Sequence, residues 1–307
     1  MKEKNVFKNN FTLILLAMAA TALWGTAFPG VKLGYEWFDI SNTGSKIMFA
    51  GIRFIIAGLM VLGVYVVKYK KIPTLLKEQV KPIILMSLIQ VVGDYYFYYL
   101  GLSVTSGGVA AVINSFDTFC SVIIVSLFFK NDKLTARKII GCLIGLAGIV
   151  LINFKNGGEI SFKLTGEGFI LISSLFATMG IIINKKAALE INPVILTGYY
   201  LLIGGAVLTA ISLPLGGHMS FADPKADICL IYLSVVSALA FLIWSGLLKY
   251  NNVSKISVFK LMTPIFGNVF SALALGENIM TPAHLASVFF VAAGIGIVNY
   301  QKKISEQ

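Results

Sequence analysis

The sequence predicts an all-α membrane protein in which ten transmembrane helices form two inverted five-helix repeats. Three observations carry that expectation. Of the 307 residues, 57% are apolar and 13% charged, with a mean hydropathy of +0.84, a composition foreign to soluble domains. Apolar runs near the ~20 residues that cross a bilayer can be placed at 11–31, 46–67, 83–102, 106–129, 136–153, 166–184, 193–213, 227–247, 254–275 and 281–299. Residues 101–154 also fall on 247–300 at a constant shift of 146, without a gap, pairing Leu102 with Leu248, Gly148 with Gly294 and Asn153 with Asn299. A repeat of that kind divides the chain into residues 1–155 (helices 1–5) and 156–307 (helices 6–10). Five is odd, so the second half enters the membrane in the opposite sense, the arrangement that lets one central site open alternately to either side.

The first run follows Lys2, Lys4 and Lys8 and contains the small-residue stretch Ala17-Met18-Ala19-Ala20-Thr21-Ala22, which imitates a cleavable signal peptide. It continues through Trp24-Gly25-Thr26-Ala27-Phe28-Pro29, and its removal would leave four helices in that half, so it reads as a retained span. The second run carries Arg53 about seven residues in, close enough to an end to snorkel to the outer surface. Arg53 is accordingly given a structural or gating role. The third has Gln90 and Asp94 on one face, four residues apart, then five aromatic residues, Tyr95 to Tyr99. Of these, Tyr95, Tyr96 and Tyr99 read as an interfacial belt, and Tyr98, aligned with Trp244, as facing a solute.

The fourth run repeats the phase of the ninth. Ala111, Asn114, Asp117, Thr118 and Ser121 lie on one face of the former, and Ser257, Lys260, Pro264, Gly267, Asn268 and Ser271 on one face of the latter. The shift puts Lys260 opposite Asn114 and Thr263 opposite Asp117. In the fifth run Gly141, Gly145 and Gly148, and in the tenth Gly294 and Gly296, suit close helix packing. The sixth and seventh runs are placed by length and apolarity, and the eighth offers Phe241, Trp244 and Ser245 but no acid where the third has Asp94. Pro29 and Pro264 each remove a backbone donor and are expected to bend their helices and free a carbonyl near the centre.

Charge orients the chain. With the N-terminus inside, eighteen of the 25 Lys and Arg residues fall in cytoplasmic segments and five outside, leaving Arg53 and Lys260 within helices. That bias sets both termini in the cytoplasm. A net charge of +11 does not indicate nucleic acid here, because the bases sit in short clusters between apolar runs with no interleaved aromatic stripe; the partner they imply is the lipid bilayer. Cys120, Cys142 and Cys229 have no paired spacing and read as apolar fillers. His218 and His284 lie in or beside outer loops, and no HExxH, nucleophile elbow or P-loop is present, so the expectation is a protein without metal, cofactor, enzymatic activity or ATP-driven pumping.

Trp24-Gly25-Thr26-Ala27-Phe28, Arg53-Phe54 and Gly276-Glu277, in that order across ten helices and a five-plus-five repeat, resemble the EamA group of the drug/metabolite transporter superfamily. The resemblance covers almost the whole chain. It implies a multi-pass carrier in the inner or plasma membrane for small organic solutes, often an exporter, with helices 3, 4, 8 and 9 and parts of 1 and 6 around the cavity. The chain departs from the pattern with Asn131-Asp132 where the second half has Glu277-Asn278, and with Thr118 where the second half has Pro264.

A charged residue near the centre of a span costs about 2.5–3.5 kcal/mol on insertion scales and needs a reason. The expected solute-binding set is Trp24, Asp94, Tyr98, Asn114, Asp117, Trp244, Lys260 and Asn268, with Arg53, Pro29 and Pro264 as gating or structural residues. Lys260 would meet an anion, or pair with Asp117 or Asp94. Asp94 or Asp117 would meet an ammonium group or carry a coupling proton. The function expected is secondary transport, as exporter or exchanger, of a small organic metabolite that is anionic or zwitterionic, such as an amino acid. The alternatives are efflux of hydrophobic cations, with an Asp as counter-ion and Lys260 only structural, and, in a different class, a membrane receptor or scaffold. Plastid phosphate translocators, distant members of the superfamily, use basic residues on the ninth helix for their anion; here Lys260 is followed by Leu261 and not by a second base, so the resemblance does not imply a doubly charged phosphate solute.

Overall fold

The computed structural model describes residue 7 and residues 9–102, 104, 107–153, 163–275 and 282–300, and every regular element among them is helical. Ten spans follow the ten apolar runs: α1 Asn10–Trp37, α2 Thr43–Tyr69, α3 Lys77–Leu102, α4 Gly107–Phe128, α5 Ala136–Asn153, α6 Leu164–Glu190, α7 Pro193–Ser212, α8 Pro224–Tyr250, α9 Val253–Ser257 through Met262–Leu275, and α10 Pro282–Asn299. Gly276, Glu277 and Asn278 lie outside the described residues. Seven of the spans are long and apolar enough to cross a membrane by length and composition. The helices overrun their apolar cores, so that Lys32 belongs to α1 and Lys81 to α3.

Local chemistry sets several starts. Asn9, Asn42, Asn192 and Asp223 each accept a hydrogen bond from a backbone N–H of the first turn that follows, satisfying a donor that the helix itself cannot. Pro193 and Pro224 occupy the first helical position, where a missing N–H costs nothing.

The pairing of helices is that of a pseudo-two-fold. α1 packs on α8 and α9 as α6 packs on α3 and α4, while α2 pairs with its own counterpart α7 and α5 with α10. Two sets of close approaches make this relation residue-specific. A Cβ on Gly141 would lie 2.8 Å from the Gly294 carbonyl oxygen, and one on Gly148 would lie 2.9 Å from that of Ser287; a shift of 146 exchanges the two contacts. On the other side, a Cβ on Gly205 would lie 2.6 Å from the Gly51 oxygen, and one on Gly58 2.7 Å from that of Gly198, contacts exchanged by a shift of 147. Lipid tails are as apolar as the side chains, so such backbone proximity, rather than burial from water, holds membrane helices together.

Two spans depart from α geometry where the polar residues lie. α3 contains a π-helical stretch, Ser87–Gly93, directly before Asp94, and π-turns recur at functional sites. α9 has a 3₁₀ stretch, Val258–Leu261. Pro264 lacks the N–H that would bond the Lys260 carbonyl and its ring crowds that oxygen, which accounts for the tightened turn. Three residues per turn thus replace 3.6 across Lys260.

Candidate functional site

A cavity of about 270 Å³ lies between the halves, lined from α1 by Trp24 and Phe28, from α2 by Arg53, from α3 by Gln90, Asp94, Tyr95, Tyr98 and Tyr99, from α4 by Asn114 and Asp117, from α6 by Ala177 and Asn184, from α8 by Phe241 and Trp244, and from α9 by Lys260, Thr263 and Pro264. The helices are those the family resemblance implied, with α2 added. Under the 146 shift Tyr95 and Tyr98 of α3 correspond to Phe241 and Trp244 of α8, and Asn114 and Asp117 of α4 to Lys260 and Thr263 of α9. The wall is thus symmetric in position and asymmetric in charge: both acids come from the first half.

Lys260 donates to Asp117 Oδ2, joining α9 to α4. Asp117 is 3% exposed, and Thr118 Oγ1 donates to its other oxygen at 3.1 Å. Of the two ion pairs open to Lys260 from sequence, the structure forms the one with Asp117. Asp94 is held differently: Ser173 Oγ donates to Oδ1 at 2.6 Å and Gln90 Nε2 to Oδ2 at 3.3 Å. The bond from Gln90 keeps the two residues on the common face that their spacing predicted, π-turn included.

The aromatic side of the cavity is continuous. Trp24 meets Trp244 with centroids 5.1 Å apart and Phe241 at 5.5 Å; Phe54 meets Tyr95 at 4.6 Å and Phe241 at 6.1 Å. Beneath Trp244, Asn184 Nδ2 and Thr197 Oγ1 both donate to Ser245 Oγ, at 3.0 and 2.9 Å. Hydrogen bonds tie the helix ends together at the lysine-rich end. Lys185 Nζ donates to the carbonyls of Leu248, Lys249 and Asn251, and the Ser254 N–H donates to Asp132 Oδ2 at 2.9 Å.

Of the residues singled out from sequence, Trp24, Asp94, Tyr98, Asn114, Asp117, Trp244, Lys260 and Pro264 all line the cavity. Other expectations are corrected. Asn268 is half-buried and not among the lining residues, although it follows Pro264 by one turn of the same α-helical stretch. Pro29 sits inside the unbroken α1 and lines a separate shallow groove with Ile228, Tyr232 and Leu273. Arg53 does not snorkel. It is 5% exposed and lies over the rings of Phe54 and Tyr95 at 4.6 and 5.8 Å. Tyr95 and Tyr99 belong to the cavity wall rather than to an interfacial belt. Asn184 was missed because the apolar run stops there, although α6 continues to Glu190. Ser173 was missed because serines, here the pair Ser173-Ser174, are common in apolar spans and carry no signal of their own.

Comparison with known proteins agrees with this fold. The profile of the EamA-like transporter family matches residues 11–154 and 164–300, one copy per half. A WAT1-related chloroplastic protein of Arabidopsis thaliana is 24% identical over 90% of this chain and 67% of its own length. An uncharacterised transporter of Synechocystis is 26% identical over 100% of this chain and 96% of its own, and the uncharacterised transporter YoaV of Bacillus subtilis 26% identical over 87% and 90%. One crystal structure matches with a TM-score of 0.77 at 17% identity, over 92% of this chain and 96% of that one, a likeness of fold.

Proposed function

The chain belongs to the EamA-like transporter family, and from that premise we propose that it is a secondary carrier, exporter or exchanger, of a small anionic or zwitterionic organic metabolite. The observation that carries this reading is a cavity between pseudo-symmetric halves that holds two acids, two bases and a bank of aromatic rings. Burying that many charges between helices is costly, and a solute with complementary charges offsets the cost. The rings of Trp24, Tyr98, Phe241 and Trp244 would hold its apolar body.

Transport follows from the symmetry. Contacts that join the helix ends on the lysine-rich, cytoplasmic side would be exchanged, between the two states, for equivalent contacts at the outer end. Lys260 and Asp117 tie α9 to α4, two helices the repeat relates to each other, so a solute that engages either charge alters the balance between the two packings by its differential affinity. Asp117 is committed to Lys260, which leaves Asp94 as the acid that can exchange a coupling proton. The membrane is the plasma membrane, with both termini cytoplasmic. Counterflow of labelled solute into proteoliposomes tests the carrier reading: saturable, trans-stimulated uptake of some organic solute is expected, and its absence across amines, carboxylic acids and amino acids would leave a receptor or scaffold in its place.

A further inference from the structure

We propose that Arg53, rather than Lys260, is the anion receptor of the cavity, and that the selected solute is a zwitterion whose carboxylate meets Arg53 and whose ammonium group meets Asp94. The proposal rests on the carrier reading above and names its substrate class.

Lys260 is a poor receptor because it is already spent. Its ammonium is engaged by Asp117, and an incoming anion would have to strip it away and leave a buried carboxylate unpaired, which is heavily unfavourable. Arg53 has no such partner. Among the described residues it makes no ion pair or hydrogen bond, its buried Nε is unsatisfied, and it lines the cavity at 5% exposure. Phe54 and Tyr95 lie against the guanidinium, but a ring face does not satisfy the N–H donors along the planar edge. Two parallel N–H groups on that edge match the two oxygens of a carboxylate.

Asp94 is the complementary group. Its oxygens accept from Ser173 and Gln90, neutral donors that leave its charge uncompensated and further acceptor capacity free. Asp94 directly precedes Tyr95, the ring that supports Arg53, and both charges line the same cavity. The lining residues Arg53, Lys260, Asp94 and Asp117 carry charges that cancel. A solute of zero net charge and separated poles keeps the cavity neutral, whereas a lone anion or lone cation would not.

The test compares binding to the purified full-length chain of proteinogenic amino acids, their methyl esters, which lack the carboxylate, and their deaminated acids, which lack the ammonium. Wild-type protein is expected to bind at least one amino acid about ten- to hundredfold more tightly than either analogue, the range for hydrogen bonds to charged groups. Arg53→Met should abolish discrimination against the ester, and Arg53→Lys should weaken it, since the charge stays and the planar fork is lost. Asp94→Asn should abolish discrimination against the deaminated acid only. Lys260→Met should bind more weakly yet still reject the ester. An Arg53 acting merely as a packing element would lower thermal stability and the affinity for all three compounds alike. Retained ester discrimination in Arg53→Lys and Arg53→Met overturns the assignment, as does a wild type that prefers simple amines or simple acids. Absence of binding and flux for every solute class removes the carrier reading itself, and this proposal with it.

Discussion

Lys260 and Asp117 are bonded across the two repeats at positions whose counterparts are Asn114 and Thr263. One diagonal of a pseudo-symmetric square therefore carries full charges, and the other only neutral polar groups, of which Thr263 Oγ1 has no partner. The fold supplies the two-fold frame and side-chain identity breaks it, so the two sides of the cavity differ chemically.

That pair yields a double-mutant prediction. Lys260→Met leaves Asp117 buried without its counter-charge and should destabilise the protein by about 3–5 kcal/mol, whereas Lys260→Met combined with Asp117→Leu should recover most of the loss, because an apolar replacement of both partners leaves nothing unpaired. Thermal unfolding in detergent measures both. Additive losses in the double variant would show that the two side chains do not interact.

Asp94 predicts coupling. If it carries the proton, Asp94→Asn fixes the side chain in a neutral form. Accumulation driven by an imposed pH gradient should then disappear, while exchange of labelled for unlabelled solute persists at reduced affinity. Gradient-driven accumulation by Asp94→Asn at the wild-type rate would exclude this acid as the proton site.

Orientation is tested by labelling. In a background without Cys120, Cys142 and Cys229, a cysteine at the exposed Ala222 should react with an impermeant maleimide applied outside intact cells, and one at the exposed Lys71 only after permeabilisation. The reverse pattern would invert the topology and place the lysine-rich end outside.

The axis contacts predict sharply different costs for one kind of substitution. Gly205→Ala would place a methyl 2.6 Å from the Gly51 carbonyl oxygen and 2.7 Å from the Ile55 nitrogen, backbone atoms that cannot rotate away, and should cost about 1–3 kcal/mol. Gly63→Ala meets nothing within 4 Å and should be silent. Equal melting temperatures would mean that α2 and α7 are not as closely packed as described.

The sequence by itself determined the class, the number of spans, the two repeats and the central polar residues of the cavity. Those properties follow from bilayer thickness, from helical periodicity and from the cost of putting charge in hydrocarbon, all of which are written in spacing. Asn114, Asp117 and Lys260 were legible because a polar side chain in an apolar span has little freedom except to face the protein interior. Tertiary structure alone decided how the charges are shared. Whether Lys260 pairs with Asp117 or Asp94 depends on the turn by which α9 meets α4, and Lys260 lies within the Val258–Leu261 stretch just before Pro264. Whether Arg53 snorkels or turns inward depends on Phe54 and Tyr95, and Tyr95 comes from another helix. Periodicity assigns a residue to a face; only the packing of helices against one another chooses its partner.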